Sequence, residues 1–258
     1  GRFVVKTMRD ASSRLAIFAK DGRALGEVAL PGLGTVGAVS GREDEEEFFY
    51  SFTSFATPVT NFRHNVATNR GEAFDAPKVA FNPEDYETRQ VFYASKDGTR
   101  VPMFITRRKD LVKNGDTPTM LYGYGGFGLP LSPGFSASIL AWVEAGGVYV
   151  VTNLRGGGEE GEQWHRDGML GNKQNVFDDF HAAAEYLIAH GWTSPSQLGI
   201  SGGSNGGLLV GAALVQRPDL YRSVVCSAPL LDMIRFETSG LGATWNVEYG
   251  SASIAEEF

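Results

Sequence analysis

The chain has 258 residues, of which 42% are hydrophobic and 21% are charged, an ordinary composition for a soluble globular protein. Its net charge of −7 argues against a nucleic acid or an anionic membrane surface as the main partner. No apolar run approaches the roughly 20 residues that a membrane-spanning helix needs, so no membrane partner is expected.

Residues 1–78 are predicted to form an all-β region. The candidate strands are short, recur roughly every ten residues and are separated by turn signals such as Asp21-Gly22. They cover residues 3–6, 14–19, 24–30, 48–52 and 60–63. This spacing is typical of a β-sandwich, a barrel or a propeller blade.

From residue 79 onward, strands and helices alternate. The predicted strands are 90–95, 100–106, 119–122, 147–153, 198–201 and 221–227, and the predicted helices are 135–145, 176–190 and 205–216. Such alternation predicts an α/β fold with a doubly wound, mostly parallel sheet and helices on both faces. We therefore expect two domains, residues 1–78 and residues 79–258.

The most informative motif is Gly-Gly-Ser-Asn-Gly-Gly at 202–207, which lies between an apolar strand and an apolar helix. Gly-x-Ser-x-Gly in this setting is typical of a nucleophile elbow, a sharp turn that exposes the serine hydroxyl. The N-terminus of the following helix can stabilise an oxyanion through its free N–H groups. The motif therefore predicts that Ser204 is a nucleophile.

The expected catalytic base is missing downstream of this motif. In α/β-hydrolases the chain order is serine, then acid, then histidine, but His64, His165, His181 and His190 all precede the nucleophile. We interpret His165 as structural or loop-capping, and His181 and His190 as polar-face or helix-end residues. Asp232 stays a candidate for the acid. The sequence is therefore expected to be a piece of a longer enzyme, whose remaining polypeptide supplies the base.

A second glycine-rich loop, at 122–128, follows another predicted strand and contains Gly-x-Gly-x-x-Gly. A dinucleotide site would require a helix immediately after it, and Pro130 and Pro133 delay any helix. We favour a loop that supplies an oxyanion donor, either a backbone N–H group or the hydroxyl of Tyr124. No histidine or cysteine spacing indicates a metal, and neither a metal nor a cofactor is expected.

The single cysteine, Cys226, excludes a disulfide within the chain. It lies in an apolar run, so we expect it to be a small buried core residue. We expect a soluble protein of the cytoplasm or the periplasm, and the sequence does not distinguish these compartments. Arg155, at the end of a predicted strand, is expected to pair with an acidic side chain.

The chain resembles the prolyl oligopeptidase family over nearly all of residues 80–258. The matching motifs are Tyr-Gly-Tyr-Gly-Gly-Phe at 122–127, Arg-Gly-Gly-Gly-Glu at 155–159, Asn-Lys-Gln-Asn-Val-Phe-Asp-Asp-Phe at 172–180, Gly-Gly-Ser-Asn-Gly-Gly-Leu-Leu-Val at 202–210 and Gln-Arg-Pro-Asp-Leu at 216–220. The resemblance implies an α/β-hydrolase domain preceded by the last part of a seven-bladed β-propeller. It also implies that the family's acid and histidine lie beyond Phe258.

The resemblance further implies a serine endopeptidase that cleaves proline-containing oligopeptides after proline through an acyl-enzyme. We expect the protein to be a monomer. Its implied catalytic residues are Ser204 as nucleophile, with the backbone N–H of Asn205 and the hydroxyl of Tyr124 as oxyanion donors. Trp245 would stack on the substrate proline, beside pocket walls formed by Phe127, Leu230 and Tyr249. The alternatives left open are a related oligopeptidase, acyl-peptide hydrolase or esterase, and a catalytically silent scaffold.

Overall fold

The structure, a computed structural model, describes residues 1–257. The strands are β1 (Arg2–Arg9), β2 (Ser12–Ala19), β3 (Ala24–Glu27), β4 (Thr35–Gly41), β5 (Glu47–Thr53), β6 (Thr60–Asn65), β7 (Arg70–Asp75), β8 (Tyr86–Ala94), β9 (Arg100–Arg108), β10 (Thr119–Tyr122), β11 (Val148–Thr152), β12 (Leu198–Gly203) and β13 (Ser223–Ser227). The α-helices are α1 (Ala137–Glu144), α2 (Glu162–Arg166), α3 (Gln174–Ala189), α4 (Asn205–Gln216) and α5 (Asn246–Tyr249). Short 3₁₀ turns join several of these elements.

Strands β1–β7 form two antiparallel sheets, one in the order β1-β2-β3 and the other in the order β4-β5-β6-β7. Their inward side chains form one core cluster that includes Leu15, Val36 and Phe52. The sequence predicted neither β4 nor β7, the two outer strands of the second sheet. Every residue of β7 is exposed and most of β4 is too, so neither strand shows a sustained alternation of apolar and polar residues.

The second sheet region has six strands in the order β13-β12-β10-β11-β9-β8. Strands β13, β12, β10 and β11 are parallel, and β9 and β8 join as an antiparallel hairpin. The α/β fold with a mostly parallel sheet is therefore confirmed. The antiparallel pair follows from the short turn between β8 and β9, since a tight hairpin reverses the chain direction.

Helices cover both faces of this sheet. Val148 and Val150 of β11 pack in the same cluster as residues of α3 and α4, whereas Tyr149 between them packs with residues of α1. Successive side chains of a strand point to opposite faces, so the two helical layers lie on opposite sides. Within residues 1–257, no helix is both long and apolar enough to cross a membrane.

A buried ion pair ties the end of β11 to α3. The Arg155 guanidinium contacts the carboxylates of Asp179 and Asp97, each at 2.6 Å, which confirms the expected acidic partner. Asp179 is buried, and Asp97 lies in the β8–β9 turn. These two ion pairs, which share Arg155, thus hold three separate segments of the sheet region together.

Two expectations about single residues were wrong. Cys226 is exposed rather than buried, because β13 is the outer strand of the sheet in the described part of the chain. His181 is buried rather than on a polar face. Its ring nitrogens lie 2.9 Å from the hydroxyl of Tyr221 and 3.2 Å from the amide oxygen of Gln216. Burial lowers the pKa of His181, which favours the neutral ring.

Candidate active site

Three parallel strands deliver the candidate site residues to one edge of the sheet. Tyr122 at the end of β10 pairs with Ser201 of β12, and Gly203 of β12 pairs with Ser227 of β13. The loops that leave the carboxyl ends of these strands are therefore neighbours, the usual place for a ligand in an open α/β sheet. These loops carry Tyr124, the elbow serine and the segment 228–230.

Ser204 lies at a strained turn between β12 and α4. Its backbone has φ 58° and ψ −119°, a conformation that is unfavourable for a residue with a Cβ. Ser204 is exposed, and its backbone N–H donates to the Ser227 carbonyl at 3.0 Å. A Cβ on Gly202 would lie 2.1 Å from the carbonyl oxygen of Gly206. Only glycine therefore permits the strand and helix to approach this closely around the serine.

Asn205, the first residue of α4, connects two walls of the site. Its side chain is buried; its amide nitrogen donates to the Tyr124 carbonyl at 2.6 Å, and its amide oxygen accepts from the Tyr249 hydroxyl at 2.7 Å. The first N–H groups of a helix have no partner within the helix. The backbone N–H of Asn205, in the first turn of α4 next to Ser204, therefore has no partner within the helix. Both the nitrogen and the oxygen of its side-chain amide are already hydrogen-bonded.

Besides the backbone N–H of Asn205, the Tyr124 hydroxyl is available as a hydrogen-bond donor to a group in the cavity. The residue is half-buried and lines the same cavity as Ser204. Burial raises the pKa of the Tyr124 phenol, an effect that the Ser204 side chain partly offsets. The phenol therefore keeps its proton at neutral pH and can donate a hydrogen bond there.

One cavity of about 310 Å³ brings these residues together. All seven residues predicted for the site line it: Ser204, Asn205, Tyr124, Trp245, Tyr249, Phe127 and Leu230. The lining is completed by Leu129 and Ala228, which sequence analysis missed. The loop position of Leu129, two residues after a predicted wall residue, was the signal that could have found it. The volume is at the lower end of the range for small-ligand pockets.

Aromatic side chains form much of the cavity wall. The rings of Phe127 and Tyr249 meet edge to face, with centroids 5.7 Å apart. Phe236 supports Tyr249 from another side at 5.6 Å, also edge to face. Such pairs are favourable because the positive edge of one ring meets the negative face of another. Trp245, at the end of a 3₁₀ turn before α5, is half-buried. The wall therefore combines the flat apolar indole of Trp245 with the packed rings of Phe127 and Tyr249.

The four histidines make hydrogen bonds away from this cavity. His165 contacts Glu248, His64 contacts Asn69, His181 contacts Tyr221 and Gln216, and His190 contacts the Tyr186 carbonyl. Asp232 is exposed and pairs with Arg235, whose guanidinium lowers the pKa of that carboxyl. Within residues 1–257, the cavity therefore contains the serine without a histidine beside it.

The glycine-rich loop after β10 does not lead into a helix. The next α-helix, α1, begins at Ala137, and no helix is assigned over residues 123–136. The geometry that a dinucleotide pyrophosphate requires is therefore missing at this loop. In the part of the chain that the structure describes, no group of three or more His, Cys, Asp or Glu side chains is arranged to hold a metal ion.

Sequence and structure comparisons place the chain among known proteins. Residues 133–257 match the profile described as "Prolyl oligopeptidase family", and residues 1–77 match "Prolyl oligopeptidase, N-terminal beta-propeller domain". A prolyl endopeptidase from Elizabethkingia miricola is 46% identical over 257 residues, covering all of this chain and 36% of the relative. A prolyl endopeptidase from Dictyostelium discoideum is 37% identical and is covered to 34%.

Solved structures agree with these matches. A structure from a mechanistic study of two prolyl endopeptidases is 52% identical and superposes with a TM-score of 0.92, covering all of this chain and 38% of that chain. The apo structure of prolyl oligopeptidase B from Galerina marginata gives the same TM-score at 36% identity, with 37% of that chain covered. The chain thus spans little more than a third of the relatives that it matches.

Proposed function

Because this chain belongs to the prolyl oligopeptidase family, we propose that it carries the nucleophile, the oxyanion donors and the proline pocket of a serine endopeptidase. The proposed enzyme hydrolyses short peptides on the carboxyl side of proline. The observation that carries the proposal is the single cavity that Ser204, Tyr124 and Trp245 share. Its substrates are proline-containing oligopeptides, and it works as a monomer.

In the proposed reaction, the Ser204 oxygen attacks the carbonyl carbon of the Pro–X bond and loses its proton to a general base. The resulting oxyanion accepts hydrogen bonds from the backbone N–H of Asn205 and the hydroxyl of Tyr124. The C–N bond then breaks, the amine leaves with a proton from the base, and water hydrolyses the acyl-enzyme.

The base and its carboxylate are proposed to come from polypeptide outside residues 1–258. The relatives are covered to only 36%, and each histidine within residues 1–257 is bonded to a residue outside the cavity lining. We assign residues 1–78 to the last part of a propeller and residues 79–258 to the hydrolase domain. The histidine base and its carboxylate would complete the hydrolase domain.

The pocket composition supports specificity for proline. Its walls are aromatic and aliphatic, and no carboxylate is among the lining residues. A rigid apolar ring fits such a pocket, whereas a basic side chain would need a carboxylate partner there. Trp245 is proposed to stack on the pyrrolidine ring, with Tyr249, Phe127 and Leu230 around it.

The nucleophile is tested by labelling the full-length protein with a fluorophosphonate, with Ser204→Ala as the matched control. We expect wild-type labelling and none in the variant. A wild-type protein that does not label would instead favour the silent-scaffold alternative. Comparing a proline amide with an acyl ester substrate separates an endopeptidase from an esterase or acyl-peptide hydrolase.

The pocket is tested with Trp245→Ala on two peptidyl anilides that differ only in proline or alanine before the cleaved bond. Pocket contacts contribute about 1–3 kcal/mol each, so we expect kcat/KM to fall about 10–200-fold for proline and much less for alanine. Val247→Ala, an exposed residue of α5 two positions after Trp245, is the control. Equal losses for both substrates would show that Trp245 contributes packing rather than specificity.

A further inference from the structure

A charged cluster lies buried behind the aromatic wall of the cavity. We call Lys173, Glu248 and His165 the Glu248 cluster. The Glu248 carboxylate is 1% exposed and contacts the Lys173 ammonium at 3.0 Å and the His165 ring at 2.8 Å. Glu248 lies 75 positions from Lys173 and 83 from His165 in the chain, so the cluster joins two distant segments. None of the three residues lines the cavity, so they do not contact a substrate held there.

Burying these charges is costly unless each has a partner. Taking a carboxylate and an ammonium out of water is strongly unfavourable, and this cost is recovered only when the two groups pair with good geometry. Burial lowers the pKa of Lys173, and the Glu248 carboxylate opposes that effect. Each Glu248 oxygen has its own partner. The arrangement therefore resists any movement that separates the lysine from the carboxylate.

Glu248 belongs to α5, which has only four residues. A helix this short is not stable by itself in water, so contacts with the rest of the molecule must hold it in place. Glu248 is its one buried residue and directly precedes the wall residue Tyr249. The position of the Tyr249 ring therefore depends on where Glu248 is held.

Lys173 also holds the opposite wall. Its ammonium donates to the Gly125 carbonyl at 2.9 Å, in the loop between Tyr124 and Phe127. The same ammonium lies 5.4 Å from the centre of the Tyr249 ring. A single side chain thus contacts both the loop that carries the proposed oxyanion donor and the helix that carries the aromatic wall.

We propose that Lys173 is a positioning residue that, through Glu248, locks the loop 123–128 and the helix 246–249 into one unit and so sets the width of the proline pocket. The consequence for specificity rests on the function proposed above, whereas the mechanical coupling does not. His165 completes the unit, because it binds the second oxygen of the same carboxylate. It also lies beside the loop, since a Cβ on Gly128 would come within 3.5 Å of its Nδ1.

The coupling is tested by hydrogen–deuterium exchange on the full-length protein. In Lys173→Met we expect faster exchange in both segments, residues 123–128 and residues 246–250, relative to wild type. Lys96→Met, which removes an exposed lysine paired with Asp178, is the matched control and should change neither segment. Faster exchange in only one segment, or in neither, would overturn the proposal whether or not the protein is a peptidase.

The specificity is tested with the proline and alanine anilides. A misplacement of about 1 Å can cost on the order of 100-fold, so we expect kcat/KM for proline to fall about 10–100-fold in Lys173→Met, with a smaller loss for alanine. An unchanged proline-to-alanine ratio would overturn the proposal. A wild-type enzyme that does not prefer proline would instead refute the proposed function, and exchange alone would then decide the coupling.

Two further variants cover the case in which Lys173→Met does not fold. Lys173→Arg keeps the positive charge and should keep exchange slower than Lys173→Met in both segments. The double variant Lys173→Met with Glu248→Gln removes both buried charges, so it should fold even where the single variant does not. It should still show fast exchange in both segments and a reduced proline preference. Wild-type exchange and selectivity in this double variant would overturn the proposal.

Discussion

Replacing Tyr124 by phenylalanine removes one proposed oxyanion donor and little else. The Tyr124 backbone is held by the Asn205 amide at 2.6 Å, and this bond does not involve the hydroxyl. Phenylalanine keeps the ring, so the cavity keeps its shape. The variant therefore isolates the hydrogen bond from the phenol to the oxyanion.

Removing one donor of an oxyanion hole typically lowers kcat by about 10²–10³, or about 2.7–4 kcal/mol. We expect the lower end, about 10², because Tyr124 is only half-buried and water can replace part of the lost bond. KM should stay within about threefold of the wild-type value, because the bond strengthens only as the oxyanion forms.

The pH dependence follows from the phenol itself. Burial raises the pKa of Tyr124 above its usual value of 10, so the hydroxyl keeps its proton between pH 6 and pH 9. The ratio of wild-type to variant kcat should therefore be constant over this range, since the donor is neither gained nor lost. A raised pKa moves the loss of the donor to higher pH, so the ratio would fall only in strongly alkaline solution.

The assay measures kcat and KM of the full-length protein with a peptidyl-proline anilide. Tyr122→Phe is the matched control, because Tyr122 packs with the core around Phe104 and should leave both parameters unchanged. A kcat for Tyr124→Phe within threefold of wild type would refute the role of the hydroxyl. A loss confined to KM would refute it as well, since that pattern indicates uniform binding.

Three further predictions concern the supports of the site. Gly202→Ala places a Cβ 2.1 Å from a backbone carbonyl oxygen of α4, so fluorophosphonate labelling of Ser204 should slow at least tenfold. Gly171→Ala, which has open space around the added Cβ, is the control and should label at the wild-type rate. Tyr249→Phe leaves a buried amide oxygen without its donor and should lower the free energy of unfolding by about 1–3 kcal/mol, measured by denaturant titration; no change would show that water replaces the phenol. The bond from Arg155 lowers the pKa of Asp97 to about 2, so the stability advantage of wild type over Asp97→Asn should be complete above about pH 5 and be lost progressively as the pH falls through about 2. An advantage that is the same at about pH 2 as at about pH 5 would contradict this.

Local patterns were enough to predict much of the fold and the centre of the site. The elbow was predictable because its requirements are local: an apolar strand, small residues beside Ser204 and an apolar helix follow one another within 198–216. The walls of the pocket were named through family resemblance, and the structure places them in the same cavity. Their catalytic and binding roles remain proposals.

The features that could not be predicted from the sequence depend on contacts between residues that are distant in the chain. Glu248 contacts residues 75 and 83 positions away, and nothing local to its segment indicates that its carboxylate is buried. The error at His181 has the same origin, since its partners Gln216 and Tyr221 are 35 and 40 positions away in the chain. Cys226 was misjudged because an apolar strand has the same local pattern at the edge of a sheet as at its centre.

The side chain of Asn205 couples the two tasks that we assign to this cavity. Its amide bonds to the Tyr124 backbone on one side and to the Tyr249 hydroxyl on the other, while its own N–H starts the helix beside Ser204. A substrate ring that seats against Tyr249 would therefore act on the same residue that is proposed to stabilise the oxyanion. Binding interactions raise kcat only when they are stronger in the transition state than in the ground state. The proposed pocket and the proposed oxyanion hole share Asn205. The preference for proline should therefore be found in kcat as well as in KM.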